Sequence, residues 1–125
     1  MLRHINITDI NSVANAREAT RDIAESLHFP DRDLRPVLNI VSEIALACVD
    51  LGRTGKMSVS GIVRPDFRGI CILNRFPVAP AAEDADDLGC PSLTLGGMKS
   101  LSNHFQISRT SGEVIINAVK WASSS

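Results

Sequence analysis

The chain opens on an alternation. Leu2, His4 and Asn6 fall on one side of an extended segment and Ile5 and Ile7 on the other, so Leu2 to Thr8 predicts a strand. From there the period changes. Ile10, Val13, Ala16, Thr20, Ile23 and Leu27 recur at helical spacing, and Arg17, Glu18, Arg21, Asp22 and Glu25 fill the other face. Asp9 or Asn11 can cap this helix, because a short side-chain oxygen satisfies first-turn amides that have no helical acceptor. His28-Phe29-Pro30 ends it, since the residue before a proline avoids helical geometry.

A second helix is expected from Asp31 or Asp33, with Pro36 read as a first-turn residue. Leu38, Val41, Ile44, Ala45, Cys48 and Val49 make a wide apolar stripe, so this should be the buried helix. Gly52 suits the position just past its end. Lys56 to Val63 then alternates as a strand, Arg64-Pro65-Asp66 turns, and Arg68 to Asn74 carries the continuous apolar run expected of a central strand. Phe76 to Pro91 reads as a long irregular segment, with three prolines and the acidic run from Glu83 to Asp87. A third helix is expected over Leu93 to Asn103. A last hairpin, Phe105 to Arg109 and Glu113 to Trp121, follows.

The order β-α-α-β-β-loop-α-β-β predicts an α/β two-layer sandwich. Its sheet should be mixed but mostly antiparallel, with three helices on one face. At 125 residues the chain is expected to form one domain over residues 1–122, with 123–125 as a frayed tail.

Composition narrows the chemistry. A net charge of −1 gives no global attraction to nucleic acid, and the absence of Tyr with a single Trp disfavours a base-stacking platform. No apolar run approaches the roughly 20 residues that span a bilayer. The first residues lack a signal peptide's apolar stretch, and the three cysteines, Cys48, Cys71 and Cys90, form no paired motif. A cytoplasmic protein with small core cysteines is the expectation. His4, His28 and His104 are scattered, so no metal site is expected. Glu43 interrupts the apolar helix and should lie at a cleft edge. Asp50, on the same face, reads as an ordinary acidic residue near a helix end.

Three segments carry a resemblance: Ala16-Arg17-Glu18-Ala19-Thr20-Arg21-Asp22-Ile23-Ala24, Ile40-Val41-Ser42-Glu43-Ile44-Ala45, and the stretch from Gly97-Met98-Lys99-Ser100 to Ile107. In this order they resemble the GHKL ATPase superfamily, and within it the small anti-sigma-factor serine kinases of the RsbT/RsbW type. The resemblance spans roughly Leu2 to Trp121 and implies a Bergerat-type fold. In that family a glutamate on the buried helix acts as base, an asparagine one turn later holds Mg²⁺, and an Asp-x-Gly-x-Gly segment reads adenine. Lid glycines let backbone amides approach the phosphates.

Carried over by residue, Glu43 matches the base. Ala47 stands at the metal-binding asparagine and has no ligating atom. Asn74-Arg75-Phe76-Pro77-Val78 stands where the adenine motif belongs, without its carboxylate or glycines. Cys90 to Leu95 replaces the lid glycines, and Gly96 and Gly97 remain at the helix start. The resemblance therefore implies Glu43 as the catalytic position and Asn74, Gly96 and Gly97 as the nucleotide-binding positions, with ATP and Mg²⁺ disfavoured. It places partner contact at Arg17, Arg21 and Glu25. The implied partner is a STAS-domain antagonist, a sigma factor or a phosphatase. The expected function is a regulatory protein acting by protein–protein interaction. The alternative is an active ATP-dependent kinase phosphorylating a STAS-domain antagonist.

Overall fold

A computed structural model describes residues 1–77, 102–110 and 112–123. Strand β1 (Leu2–Ile7) leads into helix α1 (Ile10–Ser26) and helix α2 (Asp31–Asp50). Strands β2 (Gly55–Val63), β3 (Arg68–Pro77), β4 (His104–Thr110) and β5 (Glu113–Trp121) follow. The strands form one five-stranded sheet in the order β1-β2-β3-β5-β4. Every neighbouring pair among these strands is antiparallel, so the sheet, expected to be mixed but mostly antiparallel, is antiparallel throughout among the described residues. The first three strands meet through a helical hairpin and a tight turn, both of which reverse direction. The return from β4 to β5 is also a hairpin and reverses again.

The capping residue of α1 is Asp9. Its carboxylate accepts from the Ser12 amide at 3.2 Å, completing a reciprocal capping box. Val13, Ala16, Thr20, Ile23 and Leu27 are buried as the spacing predicts, but Ile10 is exposed. Ile10 is the first helical residue, and Ser12, Ala19 and Ala24 complete the buried stripe instead. Past Leu27 the chain turns left-handed at His28 (φ 56°), whose amide reaches the Glu25 carbonyl while that of Phe29 reaches Ala24.

Helix α2 begins at Asp31 with Pro30 as its cap, so Pro36 lies in the second turn rather than the first and removes one ladder donor. The helix continues to Asp50 because tertiary burial outweighs that loss. Val37, Ile40, Val41, Ile44, Ala45 and Cys48 are all inaccessible to solvent. Each large aliphatic buried in this way contributes about 1.5–3 kcal/mol. Gly52, at φ 66°, closes the helix in the left-handed conformation that glycine adopts without a Cβ clash.

Both helices pack on one face of the sheet, against Ile7, Met57, Val59, Ile70, Ile72, Phe76, Val114 and Ile116. This is the two-layer α/β sandwich expected. Two helices, rather than three, are present among the described residues. The third expected helix falls mostly outside them, and Ser102 and Asn103 are not helical. The expected irregular segment is shortened, because Phe76 and Pro77 are paired with Val114 and Glu113 as the end of β3. Its remainder, with Cys90 and the acidic run, lies outside the described residues. Among the described residues no helix is long and apolar enough to cross a membrane.

Ser123, placed in the expected tail, is held. Its amide and hydroxyl both donate to the Asp33 carboxylate, and its hydroxyl accepts from Arg32 Nε at 2.8 Å.

Candidate functional site

The residues expected from the sequence to form the site fall on α2 and on β3. Glu43 sits on α2 and is half-buried. Among the described residues no ion pair holds its carboxylate. One turn on, Ala47 is only 2% exposed, so the position beside Glu43 carries a packed methyl group. Asn39, a turn before, and Asp50, at the helix end, are exposed. Among the described residues no group of three or more His, Cys, Asp or Glu side chains converges as a metal cage.

Asn74 is the most unusual residue of this region. It lies in β3 between Ile72 and Phe76 on the helix-facing side, opposite Met57 and Ile116 in its neighbours. It is completely buried, and among the described residues neither its Oδ1 nor its Nδ2 has a hydrogen-bond partner. A buried polar group left unpaired costs roughly 1–3 kcal/mol, so such groups call for an explanation. Around it three elements converge. A Cβ built on Gly55 of β2 would lie 2.7 Å from Asn74 Oδ1 and 2.7 Å from Cys48 Sγ of α2. Gly55 is therefore the space into which the amide and the thiol fit. Cys48 Sγ donates to the Arg53 carbonyl at 3.2 Å. Burial pushes the Cys48 thiol up, and the neighbouring Asn74 amide opposes that rise without forming a well-aligned bond. A thiol held protonated in this way is a packing group rather than a nucleophile. Gly96 and Gly97, the other expected nucleotide positions, lie outside the described residues.

The expected partner surface divides. Arg17 is half-buried and bridges the two helices, donating to Ser42 Oγ at 2.5 Å and to the Leu38 carbonyl at 3.4 Å. Ser42 Oγ in turn donates to the Leu38 carbonyl at 2.8 Å. Arg17 is thus a brace between α1 and α2 rather than a free charge. Arg21 and Glu25 are exposed on the outer side of α1. Asp22, near them, pairs with Arg3 of β1 at 3.7 Å.

Two features escaped the sequence reading. One is the anchor at Asp33, where burial raises the carboxyl pKa but the Ser123 hydrogen bonds and the Lys120 and Arg32 charges outweigh it and hold it below the usual range. An acid in a first helical turn was its only signal. The other is a concavity of about 450 Å³ on the sheet face away from the helices, lined by side chains from β1, β2 and β3. Its residues are far apart in sequence, and strand register alone brings them together.

No protein-family model matches the chain, and no curated protein matches it.

Proposed function

We propose that this protein is a regulatory binding module with a GHKL-like fold, resembling an anti-sigma-factor serine kinase whose nucleotide chemistry has degenerated. The observation that carries the reading is Ala47. Where the family places a Mg²⁺ ligand beside the base, this chain packs a methyl group that is 2% exposed. Phosphoryl transfer depends on a metal and fixed dipoles to stabilise negative charge, so losing that ligand removes chemistry while leaving the fold intact. The strand order and the burial of α2 are compatible with that scaffold. Free cysteines such as Cys48 and Cys71 suit a reducing cytoplasm.

On this reading the protein acts by docking a STAS-domain antagonist, a sigma factor or a phosphatase. Arg21 and Glu25 of α1 are the proposed contact, and Arg17 supports them from beneath. Capture of such a partner from the native host tests this. Arg21→Glu with Glu25→Lys should weaken capture, with a loss that depends on ionic strength, because exposed charges mainly steer association. Glu43→Ala should leave capture unchanged. Capture that requires both ATP and Glu43, and is indifferent to the α1 charges, would overturn the proposal.

One observation favours the alternative, an active ATP-dependent serine kinase acting on a STAS-domain antagonist. Among the described residues the amide of Asn74 has no partner, and the hydrogen-bonding edge of a purine would satisfy it if the packing of Cys48 and Gly55 around this buried side chain opened. That reading needs a metal ligand other than Ala47.

A further inference from the structure

We propose that the face of the sheet opposite α1 and α2 carries a binding site for a small phosphate ester, built on Lys56 and Arg75. The inference does not depend on the GHKL reading, because both helices lie on the opposite face. The register sets the arrangement. Lys56 of β2 stands directly opposite Arg75 of β3 and, on its other side, opposite Asn6 of β1. One row along, Ser58 stands between His4 and Leu73. These six side chains, two from each of three strands, line the concavity of about 450 Å³. That volume suits a small molecule.

The charge of the groove points to the ligand. Two cations directly opposite each other on neighbouring strands repel. Arg75 has one counter-ion, Glu113, at 2.8 Å from its Nη2, while among the described residues Lys56 has none. Among the described residues no carboxylate lines the groove. A dianionic phosphate over Lys56 would relieve the repulsion. It would meet an ammonium, a guanidinium, the Ser58 hydroxyl, the Asn6 amide and the His4 imidazole, all groups able to donate to its oxygens. Leu73 offers apolar surface to the organic part of an ester. A bare carboxylate has fewer acceptor oxygens for this set of donors.

The test is titration of the full chain with phenyl phosphate and with inorganic phosphate, followed by calorimetry and by amide chemical shifts, at ionic strength held constant with chloride. Saturable binding is expected, with the largest shifts in β1 to β3 and phenyl phosphate binding the tighter of the two. Lys56→Gln should weaken it about tenfold. Arg75→Gln should weaken it less, about threefold, since Glu113 already competes for that guanidinium. Both residues are exposed, and unchanged thermal unfolding will show that the variants fold. Absence of saturation, equal binding by Lys56→Gln, or binding of an unphosphorylated acidic peptide in preference to phosphate esters would overturn the proposal.

Discussion

The carboxylate of Asp33, in the first turn of α2, accepts both the backbone N–H and the hydroxyl of Ser123, at 2.8 and 2.7 Å, across a separation of 90 residues. This pair of hydrogen bonds from one residue ties the segment just past β5 to the start of the buried helix. Lys120, in β5, lies 3.9 Å from the other carboxylate oxygen.

Asp33→Ala should therefore destabilise the fold by about 1.5–3 kcal/mol, the range for hydrogen bonds to a charged group. The pH dependence follows from the sign of the shift. The folded carboxyl titrates below its ordinary value of 3.8, so the folded state favours the ionised form. Its stabilisation is complete above the unfolded value and is lost as pH falls through the folded one. Thermal melts from pH 6 downwards should show the variant less sensitive than the native chain below about pH 4. Parallel curves would contradict the role given to Asp33.

The brace from Arg17 to Ser42 predicts a second outcome. Arg17→Ala should cost about 1–2 kcal/mol, whereas Arg21→Ala, on the exposed side of the same helix, should stay within about 0.5 kcal/mol of the native chain. A double-mutant cycle of Arg17→Ala with Ser42→Ala should return a coupling of about 0.5–1.5 kcal/mol. Denaturant unfolding measures all three. Additive losses would mean that the two side chains act separately.

Asn74 and Gly55 give a third. Gly55→Ala should lose about 1–3 kcal/mol, because the added methyl meets Asn74 and Cys48 well inside contact distance. Cys48→Ala in the same chain should recover part of that loss. Asn74→Leu replaces an unpaired amide by apolar groups of the same branching, and its stability should fall within about 1 kcal/mol of native or rise. A loss beyond about 3 kcal/mol would show that the amide is satisfied.

The parts of the fold legible in the sequence are those set by local periodicity. The alternation from Leu2 to Ile7 and the stripe from Leu38 to Cys48 placed β1 and α2, and Gly52 marked the end of α2. The run Ile70 to Leu73 identified the central strand, although only Ile70 and Ile72 face the helices. What the sequence could not carry was long-range. The two hairpins were legible from their turns, but the pairing of β1 with β2 and of β3 with β5, the brace from Arg17 to Ser42 and the bond from Ser123 to Asp33 depend on residues that meet only after folding. At the site, the sequence placed Glu43 and Ala47 one turn apart on α2, but not the burial of Ala47, which lies outside the expected stripe. The isolation of the Asn74 amide was not, since it follows from how closely Gly55 lets α2 approach the sheet.

Thermal unfolding in ATP with and without Mg²⁺ tests the proposed kinase-like scaffold without metal-dependent nucleotide chemistry. A ligand at a hundred times its dissociation constant adds about 2.7 kcal/mol, a shift readily seen in a domain of this size. No Mg²⁺-dependent shift is expected at millimolar nucleotide, because the Ala47 side chain presents no ligating atom. A clear shift that appears only with Mg²⁺ and is lost in Glu43→Ala would contradict it and establish a working nucleotide site.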